Sequence, residues 1–237
     1  MKRISLEPTY LLSFRPYRET SALLEVFSAS HGRIGLVARG VRGPKSRQRG
    51  LFQSFQLLLL SWSEGGELGT LTGAEAAGPA ISLAGEAVFS GWYLNELLLR
   101  LLQRRDPHAA LFQGYEQALQ ELNGEHAQHA LRIFEKHLLT ELGYGLPLPA
   151  QISPDDWYEY DAESGARPVA FQTHDAYRGS SLSDLANEKF QSNESLRDAK
   201  RLLRAALRPY LGDRELVTAR LLRSLRRAVK PVEQAHA

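Results

Sequence analysis

Arg33, Arg39, Arg42, Lys45, Arg47 and Arg49 follow one another along the chain with no acidic residue between them. A run of one sign repels itself unless something compensates, and a line of phosphates suits spaced, glycine-flanked Arg and Lys. Arg33, Arg39, Arg42, Lys45 and Arg47 are therefore the candidate DNA-binding residues. Tyr17, between Arg15 and Arg18, and Phe52 and Phe55, just after the run, are candidate faces for stacking bases. A small barrel also needs such aromatics inside. A second cationic stretch lies near the other end: from Arg197 to Lys230 there are eleven basic residues and three acids.

No constellation for bond-making stands out. There is no G-x-S-x-G, and Gly43-Pro44-Lys45-Ser46 lacks the glycine spacing and the following apolar helix of a phosphate loop. His126, His129 and His137 lie on or near one helix without an accompanying Glu-x-x-His or H-E-x-x-H, which reads as exposed helix histidines more than as a metal site. The carboxylates at 155, 156, 159, 161 and 163 alternate with Trp157, Tyr158 and Tyr160, which reads as strand or loop more than as a cation site. The expectation is a protein that is not an enzyme and has no cofactor and no metal.

These residues need elements to hold them. The chain has 237 residues, 43% hydrophobic and 24% charged, in the range of an ordinary globular protein. It has no cysteine. That excludes disulfides, thiolate-held metal and thiol catalysis, and it fits a reducing compartment. Neither a secretory signal nor a spanning apolar stretch is visible, so a cytoplasmic, nucleoid-associated protein is expected, with no membrane partner. The net charge of +2 hides a partition. Residues 1–50 carry ten Lys/Arg against three Asp/Glu, residues 51–170 six against sixteen, and residues 171–237 thirteen against eight. Basic ends around an acidic middle point to a polyanionic partner.

Tyr10–Phe14, Ala22–Phe27 and Arg33–Ala38 are short apolar runs separated by turn residues, and Leu57–Trp62 and Leu68–Leu71 flank a Ser63-Glu64-Gly65-Gly66-Glu67 turn. Five strands in about 80 residues predict an OB-fold barrel. The period then becomes helical. Helices are expected over Ala84–Leu102, from an Asp106-Pro107 cap to Gly124, and over about Gln128–Leu142. Further helices are expected from about Glu194 and over about 213–229, the last carrying Arg220, Arg223, Arg226, Arg227 and Lys230. Prolines at 147, 149, 154 and 168 predict loops or a small β excursion between helices. The fold class is thus α+β: an N-terminal five-stranded OB-fold barrel over residues 1–80, then a helical-bundle domain over 81–237. A small cysteine-free β/loop insertion sits at about 146–190.

Several segments in fixed order resemble the RecO family of bacterial recombination mediators. They are Arg15-Pro16-Tyr17-Arg18-Glu19-Thr20-Ser21, Ser30-His31-Gly32-Arg33, Ala38-Arg39-Gly40-Val41-Arg42 with Lys45-Ser46, and Leu51-Phe52-Gln53-Ser54-Phe55. Leu71 to Glu75, Tyr93-Leu94-Asn95-Glu96-Leu97, Leu131-Arg132-Ile133-Phe134-Glu135 and Leu142-Gly143-Tyr144-Gly145 continue the likeness. Ala199-Lys200-Arg201 through Pro209-Tyr210-Leu211-Gly212 completes it, so only 148–190 falls outside. The resemblance implies an OB-fold joined to a helical domain and a role in recombinational DNA repair. The partners it implies are single- and double-stranded DNA, single-stranded DNA-binding protein, RecR and, functionally, RecA. Strands coated by single-stranded DNA-binding protein would be annealed, and RecA loaded with the help of RecR. Some members carry a four-cysteine zinc ribbon in the region matching 148–180; the absence of cysteine here removes that expectation.

In this resemblance the tail of single-stranded DNA-binding protein is acidic and ends in an apolar residue with a free carboxylate, so it needs an apolar pocket rimmed by cations. Arg132, Arg201 and Arg204 are the candidate rim for that tail. The competing reading pairs the arginine stripe with acids of the middle of the chain, such as Glu116 and Glu121. A generic nucleic-acid chaperone with a barrel is the alternative function, and a nuclease or hydrolase with a dispersed site is another.

Overall fold

The computed structural model describes residues 2–229 apart from 49 and 213. Arg49 of the basic run and Lys230 of the last helix therefore lie outside the described residues. Five strands open the chain: β1 (Arg3–Tyr17), β2 (Ser21–Ser28), β3 (Gly32–Ala38), β4 (Leu57–Ser63) and β5 (Gly69–Ala76). They close in the order β1-β2-β3-β5-β4, with β3–β5 the parallel pair. The architecture is α+β, and the first unit is the expected OB-type sheet. Ile4, Leu24, Val26, Leu36, Leu60 and Trp62 fill its interior.

The run Tyr10-Leu11-Leu12 does not alternate with polar residues because both faces of β1 are covered. Leu11 points into the barrel, while Tyr10 and Leu12 join a second core built with helices. Three of those helices are α1 (Glu86–Leu101), α2 (Ala109–Glu121) and α3 (Ala127–Glu141). The register of β1 shifts between Leu11 and Ser13, a bulge that interrupts the ladder. The buried amide of Asn95 on α1 faces it, donating to the carbonyls of Leu12 at 3.3 Å and Leu11 at 3.5 Å, and Tyr115 of α2 donates to Asn95 Oδ1 at 2.5 Å.

The second helix does not begin at Asp106-Pro107 as expected; its N-cap is His108. Residues 104–106 dock on the barrel instead, turning at Arg105, whose φ is +64°. Arg104 bridges Arg33, and Arg105 N–H donates to the Arg33 carbonyl at 2.9 Å. Gly32 has φ +67°, and a Cβ there would strike the backbone of Asp106, so glycine is required for this approach.

Residues 157–178 form a three-stranded sheet of β6 (Trp157–Asp161), β7 (Gly165–Val169) and β8 (Tyr177–Arg178), the β form of the expected excursion. A helix unforeseen in the sequence, α4 (Gly179–Asn187), follows it, then α5 (Asn193–Leu211) and α6 (Val217–Val229). The last helix begins later than residue 213. The Glu96 carboxylate of α1 accepts from the backbone N–H of Val217 and Thr218, both at 2.9 Å, which fixes the start of α6. Among the described residues no helix is long and apolar enough to cross a membrane.

Candidate nucleic-acid and partner interfaces

β1 pairs with β2 out to Tyr17 but with β4 only from Arg3 to Tyr10. The β1–β2 hairpin therefore projects past β4, and the segment between β3 and β4 is tied to its tip. Arg42 N–H donates to the Thr20 carbonyl at 2.8 Å, and its guanidinium donates to the Arg18 carbonyl at 3.1 Å. Arg39, Lys45 and Arg47 are exposed on this segment, with Arg15 exposed on the hairpin. Arg42 is braced and half-buried, so it shapes the loop as well as contributing charge.

Arg33 is not with them. It sits at the opposite end of β3, where its guanidinium donates to the Leu99 carbonyl and its Nε lies 3.6 Å from Glu25. Arg104 also pairs with Glu25, and reaches Glu67 at 3.1 Å. Burial first, and then the neighbouring Arg104 charge, push the Arg33 pKa down. The expectation of Arg33 as a phosphate contact is thus set against a side chain already used to join the barrel to α1. One-dimensional spacing could not reveal this, because strand β3 carries Arg33 and Arg39 to opposite ends of the barrel.

The aromatics divide as well. Phe55 is buried against Gly91, and Arg18 lies over the Tyr17 ring at 5.1 Å. Phe52 remains half-buried, with its ring 6.2 Å from Phe14, which is 37% exposed. Phe14 is a further candidate stacking face that the sequence reading missed. Its signal was an aromatic beside Arg15 on the hairpin, two positions past the buried Leu12.

A groove of about 640 Å³ lies between α1, α3, α5 and α6. Arg132 and Arg204 both line it, but Arg201 does not. On α5, Arg201 turns to the inserted sheet, where it sits 4.1 Å over the Tyr177 ring and donates to the carbonyls of His174 and Ala176. The cation that accompanies Arg204 is Lys200, one helical turn earlier on the same face. Leu131, Leu207 and Phe89 supply apolar wall.

At the groove floor Arg132 Nη2 donates to Glu135 Oε1 at 2.8 Å, and the Tyr93 hydroxyl donates to the same oxygen at 2.6 Å. Glu135 Oε2 is buried with no partner among the described residues. Burial raises the Glu135 pKa above its ordinary value in spite of Arg132. The Lys200 pKa is pushed down, first by desolvation and then by Arg132 and Arg204. Three cations thus crowd one buried carboxylate, and the groove is short of negative charge. Glu116 and Glu121 do not supply it: Glu116 accepts from Tyr10 and Glu121 from Gln117.

His126 and His129 pack ring against ring at the start of α3, while His137 lies further along and pairs with Glu188 at 2.8 Å. With no cysteine in the chain, a four-thiolate zinc ribbon does not fit the inserted sheet. Tyr158, Ala166 and Tyr177 instead anchor that sheet in the helical core, and Arg178 covers Trp157 at 4.7 Å.

Comparison with known proteins agrees with this architecture. Residues 1–80 match the family model described as recombination protein O N terminal, and residues 83–219 match recombination protein O C terminal. DNA repair protein RecO of Nitrosococcus oceani is 48% identical over 236 residues, covering 95% of each chain. The proteins of that name from Coxiella burnetii and Aromatoleum aromaticum are 41% and 42% identical, covering 93% and 94% of this chain and 99% and 97% of theirs. A barrel with a basic projecting hairpin, a helical unit docked on it and these matches along both parts place the chain in the RecO family of DNA repair proteins.

Proposed function

We propose that this protein is a non-enzymatic recombination mediator of the cytoplasm. It binds DNA, anneals complementary strands coated by single-stranded DNA-binding protein and, with RecR, promotes loading of RecA. DNA binding falls to residues 1–80 and capture of the coating protein to residues 81–237. The observation that carries this reading is the separation of two cationic, partly apolar surfaces on one molecule. Arg39, Arg42, Lys45 and Arg47 near the hairpin tip suit a phosphate backbone, with Phe14 and Phe52 offering stacking faces. Arg132, Lys200 and Arg204 beside Leu131 and Leu207 suit an acidic tail with an apolar end and a free carboxylate.

The two surfaces explain how annealing proceeds without bond chemistry. A tail held in the groove keeps a coated strand beside the barrel, raising the local concentration of any DNA the coat releases. Neutralised backbones then allow two strands to approach. The test is duplex formation between complementary oligonucleotides, each saturated with intact or tail-truncated single-stranded DNA-binding protein. Fast annealing that weakens on truncation is the expected result. Annealing indifferent to the tail leaves a generic chaperone, and none at all overturns the reading.

A further inference from the structure

The groove has one wall that the family model does not cover. The match ends at residue 219, whereas α6 runs from Val217 to Val229 and closes one side with Leu222, Arg223 and Arg226. The two ends of α6 are held differently. Its start is fixed by five hydrogen bonds, of which the two from Thr218 are part-buried: the Glu96 carboxylate accepts from Val217 N–H, Thr218 N–H and the Thr218 hydroxyl, and Arg100 donates to the carbonyls of Arg214 and Glu215. Toward its other end, one bidentate ion pair crosses to the first turn of α1. Arg226 Nε and Nη2 donate to Glu86 Oε1 and Oε2 at 2.7 and 2.6 Å, with the side chains 60% and 57% exposed.

Glu86 and Arg226 both line the groove. Its other two acids are also committed, Glu135 to Arg132 and Glu215 to Arg223. Among the described residues, Lys200 and Arg204 have no carboxylate within ion-pair distance. The Glu86 carboxyl is held down chiefly by the Arg226 hydrogen bonds, with Lys200 adding the smallest part. Among the described residues it is paired with α6 alone, and it lines the same groove as the cation cluster.

We propose that the Arg226–Glu86 pair is a latch opened by exchange: acidic residues upstream of the ligand's terminal carboxylate displace Glu86 from Arg226. Arg226 is then a specificity-determining cation for the acidic stretch, and Glu86 is its internal competitor. This rests on the reading of the groove as an acidic-tail site. The exchange is feasible because an exposed ion pair holds weakly in water. An incoming peptide that meets Arg226, Lys200 and Arg204 together gains charge-assisted bonds to three cations for the single bidentate pair it breaks.

Fluorescence anisotropy of the full chain with two labelled peptides tests the latch. One peptide has four acidic residues before an apolar C-terminal residue; the other has the same end with the acids changed to amides. Glu86→Gln is expected to tighten the acidic peptide about twofold to fivefold, and Arg226→Gln to weaken it by a similar factor. Neither should move the amide peptide, and Glu163→Gln, which removes an exposed charge elsewhere, should move neither. A structural staple would make both groove variants act in the same direction, so that result, or no change, overturns the latch. A shift of the same size from Glu163→Gln also overturns it, assigning the effect to net charge. If the acidic peptide does not bind the unmodified chain, the tail-site reading falls and the latch with it.

Discussion

Arg132 and Glu135 lie three residues apart on α3, 2.8 Å from each other, with side chains 3% and 1% exposed. A buried pair of this kind adds little net stability over an apolar pair, but breaking it leaves a charge stranded in the core. Arg132→Ala is therefore expected to cost about 3–5 kcal/mol, read as a lower urea midpoint. Loss of tail binding in that variant alone would not report on the groove.

The same pair sets a pH dependence. Burial raises the folded pKa of Glu135 above its unfolded value of about 4.3. The stability contributed is then fully present below about pH 4.3 and is lost as pH rises through the folded pKa. Urea midpoints from pH 4 upward should fall more steeply for the unmodified chain than for Glu135→Gln. Parallel curves would show that Glu135 does not titrate between the two states.

Lys200 and Arg201 are neighbours in sequence and point to different tasks. Lys200→Ala should weaken acidic-peptide binding several-fold with little change in stability, because it removes a crowded cation. Arg201→Ala should leave binding unchanged and cost about 1–3 kcal/mol, since it releases the part-buried Ala176 carbonyl and the Tyr177 ring. Peptide titration and urea unfolding of both variants separate the two. Equal losses of binding would put Arg201 back on the groove.

Arg33 and the exposed cations of the loop should likewise part company. Changing Arg39, Lys45 and Arg47 together to alanine is expected to lower the log–log salt slope of single-stranded DNA binding by about 2, at roughly 0.7 per phosphate contact. Arg33→Ala should leave the slope unchanged and lower the urea midpoint, because it removes the donor to the Leu99 carbonyl and one of the two arginines on Glu25 at the joint with α1. A slope reduced by Arg33→Ala would place phosphates at the other end of the barrel.

The sequence by itself determined the order and type of most elements, because each depends on local pattern. Short apolar runs between turn residues gave five strands, and apolar stripes at helical spacing gave α1, α2, α3, α5 and α6. The nine-residue α4 carries too few turns for its period to stand out beside the prolines. Composition also separated basic ends from an acidic middle. What only the tertiary structure decided was which charged side chains are free. Arg33 and Arg39 belong to one basic run, yet a strand of seven residues sends them to opposite ends of a barrel. Arg201 shares a stripe with Arg204, yet the sheet packed beside α5 claims it and leaves Lys200 in the groove. The start of α2 followed the same logic, because docking of residues 104–106 on Gly32 outweighed the local Asp-Pro capping signal. Local pattern is a property of neighbouring residues, whereas a free charge depends on the groups that long-range packing brings within a few ångströms.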